Sequence, residues 1–212
     1  MNKEQLKEIC RQTAQRCILK QYKYQVLNRE RLGEAEVRNV MVRILEEKKI
    51  FYGIEIATEE KQEKEGNVIN RSALVDLAVY ENQKAETPTI LIEFKRGQPG
   101  LDKIEKDYAK MMNEPDCVKG SCFFHILPKE QDKSEKASER ARNEIIKKYD
   151  RAYLSVSRGK CVPKWFMLYI LDASARKLYI CEKENICHID KFNDGTWEPI
   201  KYYPPLPPLA GD

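Results

Sequence analysis

Two runs of this chain have the character of buried strands, yet each carries a carboxylate near its centre. Ala73-Leu74-Val75-Asp76-Leu77-Ala78-Val79-Tyr80 and Thr89-Ile90-Leu91-Ile92-Glu93-Phe94 are otherwise apolar on both faces of an extended backbone. Such strands belong in the middle of a sheet covered by helices on either side. A carboxylate set there is costly unless something compensates it. Because successive side chains alternate, Glu93 and Lys95 share one face while Ile92 and Phe94 point into the opposite layer. Two acidic groups brought together repel, and a divalent cation relieves that repulsion directly. Mg²⁺ takes hard oxygen ligands, usually one or two carboxylates with waters and phosphate oxygens, so Asp76 and Glu93 are the right types to hold it.

The surrounding sequence supplies the covering helices. Residues 3–27 read as a helix with an interrupted apolar stripe through Leu6, Ile9, Cys10, Thr13 and Cys17. After Gly33, Val37, Val40, Met41, Ile44 and Leu45 fall at the spacing of one buried helical face. Phe51–Ile56 reads as a short strand, and the charged stretch from Thr58 to Asn70 as a loop. Pro99-Gly100 marks a turn, followed by a helix for which Asp102 is the expected N-cap and Glu105 its capping-box partner. Ile104, Tyr108 and Met111 or Met112 give that helix its buried stripe. Ser121–Leu127 is a further buried strand, and a basic helix follows with Ala137, Ala141, Ile145 and Tyr149 on one side. Trp165–Leu171 and Lys177–Cys181 read as two strands around a turn, Asn193-Asp194-Gly195 as another turn, and Tyr203–Pro208 as extended polyproline. The order helix, strand, strand, strand, helix, strand indicates an α/β domain with a mixed sheet flanked by helices, to which a C-terminal β-rich extension adds. We expect one domain: an N-terminal helix over 1–27, a core over 28–128, and 129–212 as basic helix, hairpin extension and proline-rich tail.

Composition narrows the class. No apolar run approaches the roughly 20 residues of a membrane span, and 34% of the 212 residues are charged. The start of the chain lacks a secretory apolar stretch, so a cytoplasmic setting is expected, with the 7 scattered cysteines as reduced thiols. Cys181, Cys187 and His188 lack the paired short spacings of a structural zinc site. The 38 basic residues exceed the 34 acidic ones by only +4, so the placement of charge rather than its sum must decide about nucleic acid.

Asp76, then Glu93-Phe94-Lys95 on the next strand, followed by a helix and a strand, resembles the PD-(D/E)XK nuclease superfamily. The resemblance spans about residues 30 to 128 and rests on motif order and context. Val75 stands where the family usually has proline. What it implies is a restriction-endonuclease-like αβββαβ core and Mg²⁺-dependent phosphodiester hydrolysis, with Mn²⁺ able to substitute. By the same resemblance Asp76, Glu93 and the backbone carbonyl of Phe94 bind metal, and Lys95 orients or activates the attacking water. The family often adds a glutamate from the preceding helix. Of Glu30, Glu34 and Glu36, the helical angle favours Glu34, with Glu36 second. Substrate grip is expected from Arg96 and from Lys103, Lys106 and Lys110 on one face of the next helix, through phosphates rather than base edges.

The expected partner is therefore nucleic acid, DNA in the first instance, with no membrane and with a homodimer as an option where two strands are cut. The competing expectation is a nuclease-like module that binds nucleic acid or protein without cutting. A salt bridge between Glu93 and Lys95 at a strand end is the purely structural alternative for the motif. His125, in an apolar strand, is expected to be a satisfied core histidine rather than a base.

Overall fold

The structure is a computed structural model that describes residues 1–19, 32–64, 67–113, 118–127, 135–157, 165–183 and 195–200. The predicted helical turns at 20–27, the Asn193-Asp194 turn, the proline-rich tail, Cys187 and His188 lie outside the described residues. Helices α1 (Lys3–Leu19) and α2 (Glu34–Glu47) precede strands β1 (Tyr52–Lys64), β2 (Asn67–Val79) and β3 (Ile90–Arg96). Helix α3 (Leu101–Met112), strand β4 (Gly120–Leu127) and helix α4 (Glu135–Ser157) follow. Strands β5 (Trp165–Asp172), β6 (Lys177–Lys183) and β7 (Thr196–Pro199) complete the described chain.

The strands form one mixed sheet of 7 in the order β1-β2-β3-β4-β5-β6-β7. The pairs β3–β4 and β4–β5 are parallel, and the remaining pairs are antiparallel. The parallel joints need crossovers, which α3 and α4 provide. Helices cover both faces. Ile90, Ile92, Phe94 and Phe124 lie with the buried stripes of α1 and α2. Leu91, Phe123, Leu168 and Ile170 lie with those of α3 and α4. Every residue of β4 is buried, as a central strand with two covered faces requires.

Two expectations change. The described residues of the charged stretch from Thr58 to Asn70, all but 65 and 66, are not a loop but the outer parts of β1 and β2, with register Lys61↔Ser72, Glu63↔Val68 and Lys64↔Asn67. β2 meets β3 only at Leu77, Ala78 and Val79, so this outer ribbon pairs within itself. A ribbon of that kind imposes no apolar alternation on its sequence, which removes the signal for strands. At α3 the N-cap is Gly100 rather than Asp102, which falls in the first turn. Gly33 caps α2, and the Glu36 carboxylate accepts the Gly33 N–H at 2.7 Å.

Helix α3 is held against the sheet by Tyr108. Its ring meets Phe123 edge-on at 4.7 Å and lies 5.7 Å from Tyr153 of α4. This anchor fixes the rotation of α3 and hence the direction of Asp107 and Lys110 beside it.

Candidate functional site

The β2–β3 ladder stops where the two carboxylates begin. The pairs Val79↔Ile90, Ala78↔Leu91 and Leu77↔Ile92 are formed, and Asp76 and Glu93 would come next. There the side chains replace the ladder. Asp76 Oδ2 accepts the Phe94 N–H at 2.8 Å, and Glu93 Oε2 accepts the Asp76 N–H at 3.3 Å. The N–H and C=O of one strand residue point the same way, so the Phe94 carbonyl also faces this gap. Across from Asp76, between the pairs Ile54↔Leu77 and Ile56↔Val75, Glu55 sits at φ +54°. That left-handed conformation is unfavourable for a residue with a side chain and marks local strain in β1 beside the site.

Four charged side chains close around Glu93, which is 3% exposed. Lys110 Nζ lies 2.7 Å from Glu93 Oε1, and Lys95 Nζ lies 3.3 Å from the same oxygen. Asp107 bridges the two ammonium groups, at 2.9 Å from Lys95 and 3.0 Å from Lys110. Lys110 also donates to the Leu74 carbonyl at 2.8 Å. Asp76 is the entrance, its side chain 30% exposed, with Arg38 Nη1 of α2 at 4.0 Å and that same Nη1 3.4 Å from Glu55. The Arg38 Nε is buried and has no hydrogen-bond partner among the described residues.

Electrostatics follow from this crowding. Burial, then the charges of Asp107 and Asp76, push the Glu93 carboxyl up to about 7, against the pull of Lys110 and Lys95. Burial works against the charge of Lys95, but Glu93 and Asp107 outweigh it and hold the ammonium above the ordinary lysine range. Lys110 is raised for the same reasons. Both lysines are therefore cations at neutral pH, so Lys95 donates hydrogen bonds and does not take up a proton.

The end of β3 is pinned from β4. Gly97, at φ +77°, turns the chain toward α3, a conformation glycine adopts without penalty. Its carbonyl accepts from His125 Nε2 at 3.0 Å, which leaves His125 Nδ1 to accept from the Tyr149 hydroxyl at 3.0 Å. Burial, with Lys95 and Lys148 adding to it, drives His125 down to about 4 against the bond to Gly97, so the ring is neutral. It is a satisfied core histidine.

The sequence-derived residues divide as follows. Asp76, Glu93, Phe94 and Lys95 meet at the gap. Glu34 is exposed in the first turn of α2, its charge still acting on the buried Tyr149 hydroxyl beside those of Asp107 and Glu93, and Glu36 is committed to its cap. Arg96, Lys103 and Lys106 are exposed. Lys110 is not on that surface. It is 7% exposed and turned beneath α3 onto Glu93, because its four-carbon stem lets the ammonium reach the sheet from the flank of the helix. Asp107, Arg38 and Glu55 were not singled out from sequence. The signal for Asp107 was its place three residues before Lys110 and one before the core residue Tyr108.

A metal is implied by the resemblance, and the donor set can be tested for it. Among the described residues no group of three or more His, Cys, Asp and Glu side chains is arranged to hold a metal ion. The oxygens at the gap are hard donors, however. Among the described residues Asp76 Oδ1 has only Arg38 at 4.0 Å, and Glu93 Oε2 only a 3.3 Å N–H. With the Phe94 carbonyl these suit Mg²⁺, which needs few protein ligands and completes its shell with water and phosphate. Glu93 Oε1 is different, since an ammonium already holds it.

A separate cavity of about 380 Å³ lies between α1 and the β6–β7 edge, lined by Glu8, Arg11, Gln12, Gln15 and Glu198 among others. It shares no residue with the cluster, and its charged pair is self-satisfied, Arg11 reaching Glu198 through bonds of 2.9 and 2.7 Å.

No protein-family model matches the chain, and no curated protein matches it. Among solved structures it is similar to the central domain of yeast acetyl-CoA carboxylase, with a TM-score of 0.33 and 9% identity over 85% of this chain. The match spans 28% of that chain and carries no argument about fold or function. No described helix is long and apolar enough to cross a membrane.

Proposed function

We propose that this protein is a metal-dependent nuclease of the PD-(D/E)XK type that hydrolyses phosphodiester bonds, with DNA as its substrate. The observation that carries the reading is the gap between β2 and β3. There two carboxylates and the direction of the Phe94 carbonyl converge beside the Lys95 ammonium, which lies 3.3 Å from Glu93. A fold that needed only a salt bridge could keep its ladder intact. The chain order α2-β1-β2-β3-α3-β4 matches the αβββαβ core that the resemblance implies.

In this reading Asp76, Glu93 and the Phe94 carbonyl hold Mg²⁺, or Mn²⁺ in its place. When bound, the ion supplies a water of lowered pKa and polarises a phosphate oxygen. Lys95, kept as a cation by Glu93 and Asp107, orients the attacking water and offsets charge that develops on the phosphorus oxygens. Arg38, whose Nη1 lies 4.0 Å from Asp76, adds a cation beside the site that can pair with a phosphate. Arg96, Lys103 and Lys106 supply exposed cations for the flanking backbone.

A second reading has one observation in its favour: Glu93 Oε1 is already neutralised by two ammonium groups. That is what a nuclease-like binding module without turnover would show. Incubation of plasmid and single-stranded DNA with Mg²⁺ or Mn²⁺ separates the two. Cutting by wild type that disappears in Asp76→Ala and Lys95→Ala supports the nuclease. Equal residual cutting in all three proteins removes it.

A further inference from the structure

We propose that Lys110 is a resident cation at Glu93 which a divalent ion must displace, so that metal entry swings the ammonium off the carboxylate and onto Asp107 alone. This rests on the reading of the gap as a cation-dependent site. An ammonium has three N–H donors. Lys110 uses all of them, on Glu93 Oε1 at 2.7 Å, Leu74 O at 2.8 Å and Asp107 Oδ1 at 3.0 Å. Two of these acceptors belong to β3 and β2, so the side chain stitches the gap from the inside. The third belongs to its own helix, one turn back, and stays within reach if the other two are released. Asp107 is thus a pivot, and it keeps the displaced ammonium from becoming an unpaired charge.

Charge counting points the same way. With Glu93 ionised, Asp76, Glu93 and Asp107 carry three negative charges against two positive ones from Lys95 and Lys110, a net −1. With Lys110 withdrawn onto Asp107 as a neutral pair, Asp76 and Glu93 face Lys95 alone, still a net −1, which favours an incoming divalent ion. A divalent ion on Glu93 Oε2 would stand one carboxylate width from the ammonium on Oε1, and two cations that close in a poorly solvated place repel strongly. Lys103 and Lys106, on the same helix, have no such role because they remain in solvent.

The arrangement makes the unliganded protein a weak metal binder. Titration calorimetry of Mn²⁺ into wild type, Lys110→Met and Lys110→Gln, each checked for a cooperative thermal transition, reads this. Both variants are expected to bind Mn²⁺ about 10-fold or more tightly, as removal of a contacting like charge requires. Equal, weaker or no binding in a folded variant overturns the proposal. The wild type gives a reading that needs no substitution: the Lys110 ammonium resonance is expected to shift and exchange its protons faster as Mg²⁺ is added to excess. An unchanged resonance overturns the proposal as well. DNA cleavage by the same samples is scored separately. Tighter Mn²⁺ binding by a variant, with no cleavage by wild type, removes the nuclease reading and leaves the exchange at Glu93 standing. Cleavage by wild type with no gain in affinity does the reverse.

Discussion

Two groups of buried charge lie under the same two helices, and they are built on different terms. At the far side of the sheet Arg142 of α4 meets Asp172 of β5 at 2.7 Å, with Arg142 also lying over the Trp197 ring at 5.3 Å. The other Asp172 oxygen accepts the Ala175 N–H at 2.9 Å and closes the β5–β6 turn. One cation faces one anion, every partner is local, and the ladder beside them is unbroken from Phe166↔Lys183 to Asp172↔Lys177. At β2–β3 three carboxylates face two lysines, the ladder ends, and a strained residue sits opposite. The first group holds the fold together. The second gathers more carboxylates than lysines where the ladder ends, the arrangement on which the proposed cation site rests.

The largest expected difference between them is in activity. Asp76→Ala and Glu93→Ala should lower DNA cleavage by on the order of 10³-fold, and Lys95→Ala by about 10² to 10³-fold, as loss of preorganised electrostatic groups does elsewhere. Asp172→Asn should leave the cleavage rate per folded molecule unchanged. A single-turnover assay with Mn²⁺ checks all four.

Stability should invert the order. Asp172→Asn leaves Arg142 buried without its counter-charge and should cost about 3 to 5 kcal/mol by denaturant unfolding. Glu93→Gln removes one of three crowded acids and should shift stability by no more than about 1 kcal/mol in either direction at low pH.

The pH dependence sharpens this further. Glu93 rises from its ordinary value of 4.5 to about 7. The fold therefore keeps a proton that the unfolded chain has lost, and this contribution to stability, full below pH 4.5, fades as pH climbs through 7. His125, lowered from 6.5 to about 4, acts in the opposite sense: its contribution is present above pH 6.5 and is lost as pH falls through 4. Glu93→Gln deletes the first and keeps the second. Relative to wild type, this variant should gain stability progressively between pH 4.5 and 7, measured by thermal unfolding across that range. A flat difference would mean that Glu93 titrates in its ordinary range.

The smallest effects belong to the outer face of α3. Lys103→Ala and Lys106→Ala, both in solvent, should change stability by less than about 0.5 kcal/mol. Each should reduce the slope of log affinity for DNA against log salt by about 1.

Much of this was legible in the sequence because burial and chemistry conflicted there. Asp76 and Glu93 stood out as charges in runs that otherwise demand an apolar environment, and alternation along β3 placed Glu93 and Lys95 on one face. The helical stripes of α2 and α3 followed from spacing alone. Three features were hidden. The hairpin beyond Ala57 pairs only with itself, so no buried face wrote a pattern into its residues. Lys110 shares its helical angle with Lys103 and Lys106, and wheel geometry does not say which stem bends inward. Glu34 falls within the apolar stripe by angle, yet in the first turn of α2 its side chain is exposed.

The central claim is that Asp76 and Glu93 jointly hold a divalent cation. Crystals of the wild-type protein soaked in Mn²⁺ and measured for anomalous scattering test it most directly. The account predicts a peak about 2.0 to 2.3 Å from Asp76 Oδ1 and a Glu93 oxygen, as hard-oxygen coordination requires, with Lys110 Nζ moved away from Glu93. Crystals that show no peak there, with Glu93 still bound to Lys110 and Asp76 to the Phe94 N–H, would contradict it.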